Sequence, residues 1–193
     1  MELEAAERLL LRALRFRKNV IELGGEGASW NARSESGVTH KILLTGIRDP
    51  EEIEDQLLSS FVWLWSLKDY IKALTPPDGK SEVWIENEVS LDPNISLAAD
   101  IANLQKHGVL RRSRSGKFPK LSRLCVNAPQ EAIGKITIRE REVETDISNP
   151  AGVELTLSIF DSQGILIGDG LKLLDYALRF WEGKLGECGA SCV

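Results

Sequence analysis

The spacing of apolar residues changes along this 193-residue chain, and that change constrains its fold more than any other feature. Up to about residue 108 the apolar residues recur every three to four positions, as they do along one face of a helix. Beyond about residue 133 they alternate with polar neighbours, which is typical of strands with one buried face. A helical first part followed by a strand-forming second part predicts an α+β fold.

Three helical segments are predicted in the first part. Residues 2–22 begin with glutamates and end with basic residues, a distribution that suits the helix dipole. A second helix begins at Asp49-Pro50-Glu51-Glu52, where Asp is the cap and Pro occupies the first turn, and it ends at Pro76-Pro77. A third helix, over residues 81–108, is interrupted at Asp92-Pro93, and we expect it to form an antiparallel hairpin with the second.

The remaining stretches predict a loop, a set of strands and a final helix. Residues 24–48 are rich in Gly, Ser and Asn, and we expect mostly loop there. Three strands are expected around 136–138, 153–159 and 165–167, joined by turns into one antiparallel meander. The leucine spacing after Asp169 indicates a last helix, with Asp169 as its cap.

The predicted architecture is a single domain over residues 1–186 followed by a tail over residues 187–193. It is an α+β fold in which a helical bundle is built on the 49–108 hairpin. The first and last helices pack beside that hairpin, and the three-stranded meander is inserted before the last helix.

The composition is that of an ordinary folded protein, without a sign of a membrane span or a metal site. The beginning of the sequence lacks the regions of a secretory signal, and the longest apolar run, at 61–65, is too short to cross a bilayer. We therefore expect a cytoplasmic location and no membrane partner. The spacing of Cys125, Cys188 and Cys192 suits neither a disulfide framework nor zinc, so we expect free thiols, no metal and no cofactor.

Positive charge is concentrated in one part of an acidic chain. The sequence carries 29 acidic and 24 basic residues, yet residues 101–130 contain seven basic residues and no acidic one. All seven lie in what we call the basic segment, residues 106–123, with the sequence KHGVLRRSRSGKFPKLSR. The candidate nucleic-acid-binding residues are these seven: Lys106, Arg111, Arg112, Arg114, Lys117, Lys120 and Arg123.

Clustered Lys and Arg residues neutralise phosphates, so the basic segment favours RNA or another phosphate-rich partner. Phe118 within it offers a surface on which a base could stack. Two other interpretations stay open: a solvated loop on an otherwise acidic protein, or a contact with the acidic surface of a protein partner or a second subunit.

The sequence DIANLQKHG, residues 100–108, places Asp100, Asn103 and His107 within about 60° of one another on one side of a helix. One interpretation is structural: His107 lies in the last turn before a Gly cap, and Asp100 pairs with Lys68 or another helix. The other is functional, because a His beside an amide and a carboxylate can bind phosphate or transfer protons near neutral pH. Asp100, Asn103 and His107 are therefore the candidate catalytic residues.

The stretches SSFVWLWSLKDYI and LAADIANLQKHGVL resemble a group of uncharacterised bacterial and phage helical proteins and, more distantly, the HEPN superfamily of RNA-associated helical bundles. The resemblance covers residues 51–110. It implies a dimer and a metal-independent ribonuclease motif, Arg-x4-6-His, in which the residue after the arginine is often Asn, Asp or His. This chain matches the motif at Asn103 and His107. The arginine is absent, because Ala102, Ile101 and Asp100 occupy its permitted positions. Arg111 or Arg112 could replace it in space.

Trp63 and Trp65 lie about 200° apart on the second helix, so at least one of them leaves the main core face. A second buried surface, such as a homodimer interface, would accommodate it. We therefore expect a homodimeric HEPN-like protein that binds RNA or phosphate with little or no catalysis. The alternative is a protein-interaction module without a nucleic-acid role, and a third reading is a metal-independent ribonuclease that uses His107.

Overall fold

A computed structural model describes residues 2–190, which form five helices and nine strands. The helices are α1 (Glu2–Ile21), α2 (Pro50–Ala73), α3 (Trp84–Leu91), α4 (Pro93–His107) and α5 (Gly170–Glu187). The strands are β1 (Gly24–Arg33), β2 (Thr39–Ile47), β3 (Lys120–Leu121), β4 (Cys125–Asn127), β5 (Ile133–Arg139), β6 (Glu142–Ile147), β7 (Glu154–Thr156), β8 (Ser158–Phe160) and β9 (Leu166–Asp169). Two short 3-10 turns, Gln130–Ala132 and Pro150–Gly152, complete the secondary structure.

The chain divides into two compact units. The helical unit comprises the residues up to Lys18, Gln56–Arg123 and the residues from Leu157 onward. Its core holds buried apolar side chains of α2, α4 and α5, among them Phe61, Ile95 and Trp181. It also contains an antiparallel three-stranded sheet with the strand order β3-β8-β9.

The sheet unit comprises Asn19–Asp55 and Leu124–Thr156. Its four-stranded sheet has the order β1-β2-β6-β5. The pairs β1–β2 and β5–β6 are antiparallel, whereas β2 and β6 run parallel although they are far apart in sequence. A separate antiparallel pair joins β4 to β7.

The predicted helical bundle with a single meander is wrong. The described residues form three sheets of four, three and two strands, and the three stretches expected in one meander belong to different sheets. Residues 153–159, expected as one strand, divide at Leu157 into β7, which pairs with β4, and β8, which pairs with β3 and β9. Alternation identifies strand residues, but it does not specify their partners when these are distant in sequence.

The loop predicted over residues 24–48 is also wrong, because most of it forms β1 and β2. The glycines that suggested a loop serve irregular strands. Gly27 and Gly46 have φ values of +100° and +82°, and a Cβ atom there would overlap the carbonyl oxygens of Leu44 and Ile147, respectively. Glycine is therefore required where the backbone of β1 bulges and where β2 passes closely beside β6.

The helix predictions are confirmed to within a few residues at their ends. Asp92 separates α3 from α4 and caps α4 by accepting hydrogen bonds from the backbone N–H groups of Asn94 and Ile95. Gly108 ends α4 in the left-handed conformation, and Asp169 caps α5 through the N–H of Lys172. These ends follow local chemistry, which a sequence displays directly.

Two further predictions concern the end of the chain and membranes. Helix α5 ends at Glu187, and the predicted tail lies outside the described residues from residue 191 onward, including Cys192. Among residues 2–190, no helix combines the length and the apolar character that crossing a bilayer requires.

Candidate functional site

The carboxylate of Asp100 is completely buried and holds the basic segment against α4. Its two oxygens accept four hydrogen bonds from three consecutive residues of that segment. The hydroxyls of Ser113 and Ser115 donate at 2.6 Å each, and the backbone N–H groups of Arg114 and Ser115 donate at 2.8 and 3.0 Å. A buried carboxylate needs such donors, so it fixes the course of the chain around it.

The same serines also shape the segment beyond Asp100. The hydroxyl oxygen of Ser115 accepts a hydrogen bond from the backbone N–H of Lys117, and that of Ser113 accepts one from the N–H of Phe118. Gly116, which lies between Ser115 and Lys117, has a φ of +72°. Phe118 is the one non-glycine residue with positive φ in the described chain, at +48°, and the residue is 42% exposed.

Arg114 is held by an aromatic ring and a carboxylate. Its guanidinium lies 5.0 Å from the ring centroid of Trp65 and 3.3 Å from the carboxylate of Glu86. Lys68, the partner expected for Asp100, instead lies on Trp65 and donates to Glu86 at 2.9 Å. Because Arg114 is engaged within the chain, it contributes less than its neighbours to an outward-facing positive surface.

Glu86 has three basic neighbours, Lys68, Lys72 and Arg114. Burial opposes its ionisation, but hydrogen bonds from Lys68 and Lys72 and the charge of Arg114 hold its pKa below the ordinary value. The ionised carboxylate therefore joins α2, α3 and the basic segment within the helical unit.

A second group of predicted residues surrounds an open pocket of about 500 Å³ at the end of α4. Asn103 and His107 line it together with Arg111 and Arg112, and Val109 and Leu110 complete its wall. His107 and both arginines are exposed, whereas Asn103 is half-buried. Asp100, predicted with Asn103 and His107, lies instead beneath residues 113–115.

Several cations of the basic segment make no ion pair within residues 2–190. They are Lys106, Arg111, Arg112, Lys117 and Lys120. All five are exposed. Arg123 is different because it has a partner in the chain. The unpaired charges have no acidic neighbour to neutralise them, which leaves them able to bind an anion.

Sequence reasoning did not find the roles of Ser113, Ser115, Trp65 and Glu86. The Ser-x-Ser spacing between arginines was a signal for a turn that binds a carboxylate through hydroxyl and backbone N–H groups. Nothing in the sequence indicated which of many acidic residues it would bind.

The two tryptophans of α2 both contact residues of their own chain. The Trp63 ring stacks on Phe16 of α1 with centroids 4.4 Å apart, and Arg12 lies over the Trp63 ring at 5.3 Å. Trp65 lies between Lys68 and Arg114. These contacts account for both rings, so they no longer argue for a dimer interface on α2, and the homodimer stays a prediction.

No group of three or more His, Cys, Asp or Glu residues within the described residues could hold a metal ion. Cys188 is a free thiol in the described structure, as predicted for it. Comparison of the chain with protein-family models, curated proteins and solved structures gives no match. The HEPN resemblance therefore stays a prediction, and the chemistry of the residues carries the functional argument.

Proposed function

We propose that this protein binds RNA through the basic segment, with its phosphates neutralised by Arg111, Arg112 and their neighbouring lysines. The observation that carries this proposal is a set of exposed, unpaired cations on a segment held in place by the buried Asp100. Positive charge on a prearranged surface costs less to order on binding than the same charge on a loose loop.

The pocket at the end of α4 adds groups suited to a nucleotide. Arg111 and Arg112 can donate to phosphate oxygens, while the Asn103 amide can both donate and accept hydrogen bonds. The exposed ring of Phe118 offers a stacking surface elsewhere on the segment. Phosphate contacts with stacking and few base-specific groups suit single-stranded RNA without a strong sequence preference.

A second candidate function is RNA cleavage without a metal, in keeping with the HEPN-like motif. The arginine that this motif requires is absent from the positions before His107, but Arg111 and Arg112 share a pocket with His107. His107 would transfer a proton, and one of these arginines would stabilise the charge that develops on the phosphate. We place this second, because Asp100 is enclosed by the basic segment and not available to orient the imidazole.

The test is a titration of fluorescently labelled single-stranded RNA at a series of salt concentrations, with intact RNA measured in parallel. We expect saturable binding whose affinity falls steeply with salt, by about 0.7 logarithmic units per phosphate contact for each tenfold rise in salt. Cleavage that His107→Ala abolishes would establish the second function. Absence of RNA binding even at low salt would refute both functions and favour an acidic protein surface as the partner.

A further inference from the structure

The four-stranded sheet has one apolar face, and the strand registers define it. Two rows of directly paired residues cross all four strands on this face. The first row is Trp30, Ile42, Val143 and Ile138, and the second is Ala28, Leu44, Thr145 and Ile136. We call these eight positions the open sheet face; none carries a charge.

The opposite face of the same sheet is strongly charged. Its paired rows include Lys41 beside Glu142, and Glu142 beside Arg139. Lys135 and Asp146 are paired in the same way. Water solvates this charged face well. A sheet with one charged and one apolar face has the pattern of a sheet that packs its apolar face against another layer.

The open sheet face is nevertheless accessible within the described chain. Trp30 is 47% exposed, Ile136 54% and Ile138 76%. The residues of the two inner strands are half-buried, and none of the eight is fully buried. A continuous apolar surface that crosses four strands is larger than the scattered exposed hydrophobic residues of ordinary protein surfaces.

We propose that the open sheet face binds the same face of a second copy of this chain, so that two sheets pack face to face. The strand spacing makes this face about 19 Å wide. Two such faces brought together would bury about 1,000 Å² in total, which is below the roughly 1,200–2,000 Å² of stable specific interfaces and suits a weak, reversible dimer.

The absence of charge selects the second copy over a charged partner. A nucleic acid or an acidic peptide would find no complementary group among the eight positions. Two copies, in contrast, bring together neutral surfaces whose packing is that of a β-sandwich, and no like charges are placed in direct contact at the interface. This inference is independent of RNA binding, since it uses other residues in the sheet unit.

The test is sedimentation velocity over a series of concentrations of the full chain, without RNA. We expect a reversible dimer with a dissociation constant in the micromolar range. Ile138→Lys should weaken dimerisation at least about tenfold, because an ammonium without a partner would be buried in the interface. Ile138 is exposed in the single chain, so its replacement should leave folding intact, which circular dichroism checks.

Thr137→Lys is the matched control, because Thr137 lies on the same strand and pairs with Glu144 on the charged face. It should leave the dimer unchanged, and Ile136→Lys should act like Ile138→Lys. A wild-type chain that stays monomeric throughout the micromolar range would overturn the proposal. A dimer that is equally stable in Ile138→Lys, Ile136→Lys and Thr137→Lys would overturn it as well.

Discussion

Asp100 accepts a hydrogen bond from the hydroxyl of Ser113, thirteen residues further along the chain, at 2.6 Å. This contact connects a helix to the segment that carries most of the local positive charge. Asp100 is fully buried and accepts three further hydrogen bonds from the basic segment. Its carboxylate therefore positions the basic segment and does not contact solvent. The arrangement separates the residue that holds the segment from the residues that face outward.

Replacing Asp100 by Asn separates this positioning role from simple charge. The Asn amide nitrogen would face N–H and O–H donors at a place where a carboxylate oxygen accepts their hydrogen bonds. The free energy of unfolding should therefore fall by about 2–4 kcal/mol. RNA affinity should fall even though the protein loses a negative charge. Chemical denaturation and RNA titration measure the two effects.

Asp78→Asn is the matched control for that variant, because Asp78 is exposed and makes no ion pair in the described chain. It makes the same change in net charge without touching the basic segment. Equal RNA affinity in the Asp100→Asn and Asp78→Asn proteins would show that the hydrogen bonds between Asp100 and the basic segment have no part in RNA binding.

Phe118→Ala should weaken RNA binding by about 1–3 kcal/mol if a base stacks on its exposed ring. Stacking releases no counterions, so the slope of affinity against salt should stay as in the wild type. The measurement is the same salt series, with Leu91→Ala as a control at another exposed apolar residue. Unchanged affinity in the Phe118→Ala protein would exclude it as a stacking surface.

Glu86 should make stability depend on pH in the acidic range. Because its pKa is lowered in the folded protein, its contribution is present above the ordinary carboxyl pKa of about 4.3 and is lost as pH falls through the folded value. We expect Glu86→Gln to cost about 0.5–1 kcal/mol near neutral pH, a modest value since the group is partly exposed.

Urea denaturation at a series of pH values checks this expectation. The difference between the wild type and Glu86→Gln should shrink towards zero once Glu86 is protonated. Glu82→Gln, at an exposed position without an ion pair in the described residues, should show no such difference. A wild-type advantage that persists undiminished at low pH would contradict the assigned role of the carboxylate.

Gly46→Ala should destabilise the sheet unit by at least about 2 kcal/mol, since alanine disfavours the positive φ there and its Cβ would overlap the backbone of Ile147. Gly183→Ala is a suitable control. Gly183 lies in α5 with open space around it, so alanine there should be neutral or stabilising by up to about 1 kcal/mol. The melting temperature of Gly46→Ala should therefore fall, whereas that of Gly183→Ala should stay unchanged or rise; an unchanged melting temperature in Gly46→Ala would contradict the required glycine.

The sequence predicted the parts of this fold that depend on neighbouring residues. The interruption at Asp92-Pro93, the glycine that ends α4 at Gly108 and the start of α2 at Pro50 each follow from a few adjacent side chains. The parallel pairing of β2 with β6 joins residues about a hundred positions apart, and no local pattern specifies it. The glycines of β1 and β2 misled for a related reason: the close approaches that require them, of Gly27 to Leu44 and of Gly46 to Ile147, exist only once the strands have paired.

The candidate site was predicted in the same uneven way. Helical spacing correctly placed Asn103 and His107 near each other, and the basic segment brought Arg111 and Arg112 to the same pocket. Spacing could not reveal that Asp100 is enclosed, because burial depends on where the chain goes after the helix ends. The unpaired state of the arginines likewise depends on the absence of acidic neighbours in space.

The most direct test of RNA binding compares the salt dependence of RNA affinity in two double variants, Arg111→Glu/Arg112→Glu and Arg15→Glu/Lys172→Glu. All four residues are exposed and make no ion pair within residues 2–190, so the two variants change net charge equally. We expect the first to lose about tenfold or more in affinity, with a salt slope reduced by about 1.4, and the second to stay close to the wild type. Equal losses in both would mean that overall charge alone governs binding, and unchanged affinity in the first would contradict the assignment of the basic segment.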